Sequence, residues 1–181
     1  MNKVACIILC IFAIGVGCAH TGGQNSNNFN FTVDIPTGWF PLDTNKYLII
    51  VKDNADRQYA FAQQRPLNKP FTHTNKHLKA GMVPEEIARV VIDELSADNH
   101  NIRKFKLLEN KPTTISGHRG FKISYTYQNA GGYHYRTDYY GFIKGDMFYN
   151  IRYCSLTRFY SESLIVFKQV LDSFKLKSDS V

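Results

Sequence analysis

Two alternating segments, GFKISYTYQ (Gly120–Gln128) and YHYRTDYYGFIK (Tyr133–Lys144), flank the link Asn129-Ala130-Gly131-Gly132. This pairing limits the fold more tightly than any other feature. A period of two sends successive side chains to opposite faces of a strand, and a short Gly-rich link reverses the chain between two such strands. The segments therefore predict a long antiparallel hairpin. Lys144-Gly145-Asp146 turns the chain again, into a further strand over Met147–Cys154.

The remaining pattern extends this sheet and supplies its cover. FNFTVDI (Phe29–Ile35) alternates and stops at Pro36-Thr37-Gly38-Trp39, where Pro and Gly break a strand. KYLIIVK and RQYAFAQ flank Asp53-Asn54-Ala55-Asp56 and predict a second hairpin. Gln64–Met82 reads as a long polar connection. Val83–Ala97 carries Pro84 at the first helical position, Glu85 and Glu86 at the positive end of the dipole, and an apolar stripe of Ile87, Val90, Val91 and Leu95. Short strands are expected at Arg103–Leu108 and Thr113–Ile115. A closing helix over about Ser161–Ser173 would bury Leu164, Phe167, Val170, Leu171 and Phe174.

This order predicts an α+β domain over residues 29–176, with a mostly antiparallel central sheet sandwiched by two main helices. FTVDIPTGW, ISGHRGFKISYTY, YYGFIKGDMFYNIRY and FKQVLDSFKL together resemble the PsbP-like fold family. That family includes the extrinsic PsbP proteins of photosystem II, the Ran-binding Mog proteins and bacterial lipoproteins of the DcrB type. The resemblance implies a central antiparallel sheet between helices. It carries no active site across, because the family shares none.

The first residues read as a targeting signal. Lys3 and the α-amine precede a 13-residue apolar run, Val4–Val16, which matches a signal segment and falls short of the roughly 20 residues that span a bilayer. It ends in Gly15-Val16-Gly17-Cys18, which resembles a bacterial lipobox, although Gly15 stands where the lipobox usually carries Leu, Val or Ile. The resemblance implies cleavage before Cys18, a diacylglyceryl group on its sulfur and acylation of the new terminus. The rival is cleavage after Ala19, with Gly17 and Ala19 as the small pair, which would release a free secreted protein. Residues 18–28 hold no large apolar side chain and read as a flexible tether, and residues 177–181 as a disordered tail. Ala19 is not the Asp that usually retains lipoproteins at the inner membrane, so a Gram-negative host would sort the chain to the outer membrane.

Charge and cysteines follow from that placement. The whole chain carries +7, and losing the signal removes one lysine and leaves +6. Outside the inner membrane, a basic domain meets anionic lipids, glycans and proteins rather than nucleic acid. The predicted mature chain holds Cys18 and Cys154; with Cys18 acylated, no disulfide framework exists.

Three patterns invite a chemical reading, and each has a plainer one. His73 and His77 have zinc-like i, i+4 spacing but lack a named third ligand, so surface histidines are expected. Asp53-Asn54-Ala55-Asp56 offers oxygens for calcium but not the spaced ligands of a calcium loop; a turn explains it. Cys154 with His118 or His134 could form a thiol centre, but a lone, partly buried thiol is the expected reading. The chain shows no nucleophile elbow, phosphate loop or CxxC pair. The expectation is a protein that is not an enzyme, with no cofactor and no metal.

The clearest anomaly is aromatic. Nine of eleven tyrosines fall between Tyr125 and Tyr160, with arginines interleaved. Tyr133, Tyr135, Arg136, Tyr139 and Arg152 are the candidate binding residues, because tyrosine suits peptides and sugars and arginine clamps carboxylates or phosphates. Cross-strand packing is the competing explanation. The sequence thus predicts a lipid-anchored envelope module that binds or supports another envelope protein. The alternative is a binder of small ligands or anionic glycans in a pocket between sheet and helix.

Overall fold

The computed structural model describes residues 29–44, 46–52 and 57–177. Cys18, the tether, the Asp53–Asp56 turn and residues 178–181 lie outside them. Among the described residues nine strands form in chain order: β1 (Phe31–Thr32), β2 (Phe40–Asp43), β3 (Tyr47–Val51), β4 (Gln58–Pro66), β5 (Arg103–Ile115), β6 (His118–Gln128), β7 (His134–Lys144), β8 (Met147–Leu156) and β9 (Lys175–Leu176). Helix α1 (Pro84–Ala97) separates β4 from β5, and α2 (Leu164–Ser173) follows β8 after a 3-10 turn at Thr157–Phe159.

The main sheet has seven strands in the order β2-β3-β4-β8-β7-β6-β5, antiparallel at every pairing. The expected β6–β7 hairpin forms, with Tyr127 opposite Tyr135 and Gly120 opposite Phe142. Gly132 closes its turn at φ 83°, in the left-handed region that glycine enters without a Cβ clash. At Gly141 a Cβ would lie 2.8 Å from the rings of both Phe121 and Phe148, so this position is held small by packing.

Strand alternation divides the core in two. Phe121, Ile123, Tyr125, Tyr139 and Phe148 point to one face and meet Ile87, Ala88, Val91 and Leu95 of α1. Phe142, Tyr149, Ile151 and Tyr153 point to the other face and meet Phe167 and Val170 of α2, together with Phe174. Each helix thus covers the face that its apolar stripe demands. The entry to α1 is fixed where the Glu86 carboxylate accepts the Val83 N–H at 3.0 Å.

Three features depart from the sequence reading. The first predicted strand shortens to β1, which leaves the main sheet and pairs with β9, Phe31 opposite Leu176. Lys177, which the sequence reading assigns to the tail, extends this clasp by donating its N–H to the Asn30 carbonyl at 2.9 Å. Second, the two short strands at 103–108 and 113–115 are one strand, β5, whose register slips between Arg103 and Lys106 and between Leu107 and Glu109. Those bulges scramble the alternation, and an edge strand tolerates Pro112, since its missing N–H faces no neighbour. Third, β2 forms the opposite edge, where Pro41 hides a four-residue strand.

Candidate functional site

Beyond the last turn of α1 the sheet face is not covered, and a cavity of about 380 Å³ opens there. Its floor carries Tyr125 and Tyr127 from β6, Tyr135 and Thr137 from β7, Arg152 and Cys154 from β8, and Tyr59 from β4. Register brings them together: Tyr127 faces Tyr135, Thr137 faces both Tyr125 and Cys154, and Cys154 faces Tyr59. Asp98, Asn101 and Ile102, just past α1, form the rim.

The cation on this floor is fixed. Arg152 donates its Nε–H to Asn150 Oδ1 at 3.0 Å. Its guanidinium carbon lies 4.3 Å from the centre of the Phe61 ring and 4.7 Å from that of Tyr139, an arrangement that favours a cation electrostatically. Among the described residues no carboxylate pairs with it. Thr137 is 2% exposed, and its hydroxyl lies beside the Tyr125 phenol without a hydrogen bond of full geometry among the described residues. A buried hydroxyl so loosely held recovers only part of its desolvation cost. A guanidinium without a counter-ion and a loosely held hydroxyl share one cavity.

The phenols around them stay neutral. Burial raises the Tyr125, Tyr127 and Tyr139 hydroxyls above their ordinary value of 10. Tyr59 is raised first by the Cys154 thiol and then by burial. These groups remain able to donate and to accept hydrogen bonds near neutral pH. Cys154 is 2% exposed, and its Sγ lies 3.4 Å from the Tyr127 hydroxyl. The thiol therefore sits among tyrosines.

The rim anion is already occupied. Asp98 accepts the Asn101 N–H at 3.0 Å and its Nδ2–H at 3.1 Å, and His73 Nε2 lies 3.7 Å away. Burial pushes the Asp98 carboxyl up, but these hydrogen bonds and His73 outweigh it and hold the group below its ordinary value. A neighbouring cavity of about 220 Å³ shares Asp98, Ile102 and Arg152 and adds Arg65, Phe71, His73, Glu94 and Tyr139. His73 is pinned by Glu94, Nδ1 to Oε1 at 3.0 Å, while His77 is exposed elsewhere on the connection. The described residues gather no three metal-ligating side chains at one point.

The five sequence candidates are thus dispersed. Tyr135 and Arg152 meet in the main cavity, and Tyr139 lines its neighbour. Tyr133, 61% exposed, stands outside the strand on the turn. Arg136 points to the opposite face, its guanidinium 4.1 Å from the Tyr160 ring centre. Parity along β7 already separates Arg136 from Tyr135. Tyr59, Thr137 and Asp98 carry no sequence signal as a site, because only the stopping point of α1 defines it.

The PsbP family model matches residues 24–176. Among solved structures, LpqN of Mycobacterium tuberculosis, described as involved in cell envelope biogenesis, superposes with a TM-score of 0.57 at 14% identity, over 81% of this chain and 83% of its own. CyanoP, the cyanobacterial PsbP of Synechocystis sp. PCC 6803, gives 0.58 at 10% identity over 88% and 95%. The Ran-binding protein Mog1p of Saccharomyces cerevisiae gives 0.53 at 10% identity over 81% and 90%. At these identities the likeness is one of fold. No curated protein matches the chain by sequence. The antiparallel sheet, its two covering helices and a match running from the tether to β9 make this chain a member of the PsbP family.

Proposed function

We propose that the chain is a non-catalytic binding module of the bacterial envelope, held by a lipid on Cys18, whose cavity receives the acidic group of a ligand. The observation that carries this reading is Arg152, held in place without a carboxylate partner in a cavity it shares with the buried Thr137 hydroxyl. An incoming carboxylate would pair with the guanidinium in a site walled by aromatic rings. The non-catalytic reading rests on Cys154, which faces phenols rather than a base able to take its proton.

The envelope setting is supported by the lipobox-like Gly15-Val16-Gly17-Cys18 and by the envelope role given to the fold neighbour LpqN. No helix of the described residues is long and apolar enough to cross a membrane, so attachment would rest on the lipid. A Gram-negative host would hold the chain at the periplasmic face of its outer membrane. An envelope protein as partner remains a second reading, favoured by Tyr133 standing exposed on the β6–β7 turn; crosslinked pull-down of the membrane-bound protein with Tyr133→Ala tests it.

Calorimetric titration with acetate, benzoate, galacturonate and inorganic phosphate tests the cavity. Binding of at least one of these acids that disappears in Arg152→Met supports the reading; unchanged binding in that variant overturns it. Labelled palmitate incorporated by the wild type and lost in Cys18→Ala supports the anchor, and retained label overturns it.

A further inference from the structure

The Arg152 cavity does not end at Tyr135. Tyr135 and Asn129 also line a second cavity of about 450 Å³ with Arg57, Tyr133, Leu156, Arg158 and Phe159. Tyr133, Leu156 and Arg158 in turn line a third, of about 440 Å³, with His134 and Thr157. The three share lining residues in sequence, so they lie side by side around the β6–β7 turn and the end of β8.

The charge along these cavities is mainly positive. Arg152 stands in the first cavity, Arg57 and Arg158 in the second, and Arg158 again in the third. The two outer guanidiniums are set against one ring, Arg57 at 3.7 Å and Arg158 at 4.6 Å from the centre of Phe159. Arg57 pairs with Glu162 at 3.7 Å, whereas Arg158 has no carboxylate partner among the described residues. Asp98 is the one carboxylate in the lining, and it lies at the far rim of the first cavity. Tyr135 is shared by the first two cavities, and the exposed Tyr133 by the second and third.

The backbone around the groove has little to offer an extended peptide. Asn129 N–H donates to Tyr133 O at 2.9 Å, Gly132 N–H to Asn129 O at 3.0 Å, and Leu156 N–H to Arg57 O at 2.9 Å. The free strand edges, β2 and β5, are the outermost strands of the sheet, so strand addition is not the mode of recognition here. What remains is side chains alone: ring faces on which the C–H face of a sugar can pack, alternating with guanidiniums that clamp carboxylates.

Building on the reading of the Arg152 cavity as the ligand seat, we infer that the ligand is a chain of acidic sugars, one uronate seated on Arg152 and later residues lying over Tyr133 toward Arg158. A uronic-acid chain carries one carboxylate per ring, so a chain crossing the adjoining cavities would offer a carboxylate to Arg152 and another to Arg158.

Calorimetry of the intact domain at low salt, with galacturonate as monomer, dimer, tetramer and hexamer, tests this. The expected result is a gain of about tenfold in affinity from monomer to tetramer, the scale of one added charge-assisted contact, and little beyond. Arg158→Ser and Tyr133→Ala, both surface changes, should abolish that gain and leave the monomer unchanged, while Arg152→Met should weaken every length. Length-independent binding that still needs Arg152 overturns the acidic chain and leaves the cavity reading standing. Arg152-independent binding, or no binding by any of the small acids, overturns the cavity reading and this inference with it. Equal affinity for a tetraglutamate peptide overturns the sugar assignment, and equal affinity for a neutral tetrasaccharide overturns the role of charge.

Discussion

Glu94 accepts hydrogen bonds from both the backbone N–H and the ring Nδ1 of His73, each at 3.0 Å. Thr74 adds its own N–H and its hydroxyl, also at 3.0 Å. One carboxylate of α1 thereby fastens the long connection between β4 and α1 and shapes one side of the cavity pair. Glu94→Ala is expected to release these donors at a cost of about 2 kcal/mol, the scale of losing hydrogen bonds to a charged, half-buried acceptor. Amide exchange at His73 and Thr74 should accelerate while the β6–β8 amides keep their protection. Uniform exchange changes would place the fastening elsewhere.

Acid should weaken the fold through the same groups. Burial raises Glu94, but the hydrogen bonds from His73 and Thr74 outweigh it and hold the carboxyl below its ordinary 4.5. Asp98 is likewise held below 3.8, and hydrogen bonds from Lys111 and Lys122 bring Glu109 to about 2. Depressed carboxylates contribute stability that is complete above the unfolded values and is lost as pH falls through the folded ones. Urea unfolding midpoints should therefore stay level above about pH 5 and fall steadily from 4.5 toward 2, with a shallower fall in Glu94→Gln.

Alkali should act in the opposite sense. Tyr125, Tyr127 and Tyr139 have raised folded values, so their stabilisation is complete below 10 and declines as pH climbs above it. Phenolate absorbance from Tyr125, Tyr127 and Tyr139 should appear above the ordinary phenol value and together with unfolding. A single stage near the ordinary phenol value would contradict the burial described.

Thr137→Val separates stability from function. It removes a buried hydroxyl without a hydrogen bond of full geometry and keeps the side chain's shape, so the unliganded protein should keep or slightly raise its urea midpoint. The same change should weaken binding of an acid that Arg152 also binds. A clear loss of stability would mean that the contact with the Tyr125 phenol holds the hydroxyl firmly.

On the α2 face, Asp138 is 2% exposed, accepts the Ser124 hydroxyl at 2.6 Å and lies 3.4 Å from Lys122 Nζ. Breaking this pair by Asp138→Ala should cost about 3 kcal/mol, and Asp138→Asn, which keeps an acceptor for Ser124, clearly less. Chemical denaturation of the two variants side by side measures the difference.

The sequence displayed what depends on local period and concealed what depends on where elements stop. The alternation of β6, β7 and β8 and the stripe of α1 were legible because burial on one face writes itself every second or every third and fourth residue. β5 was not, because its bulges shift the phase that Pro112 then appears to break. The division of Tyr135 from Arg136 was legible in principle from parity. The meeting of Tyr59, Asp98, Thr137 and Arg152 was not, since it depends on α1 ending at Ala97 and leaving that floor open.

The β1–β9 clasp also sets which way the domain looks. Asn30 and Lys177 border the Lys144-Gly145-Asp146 turn, whereas the cavities gather around the opposite turn, at Asn129–Tyr133. The eleven residues of β7 separate the two ends, a distance of roughly 33 Å. Both ends of the described residues therefore lie on the side of the domain away from the cavities. Coupling the protein to a surface through either end is expected to leave the cavities open to a ligand.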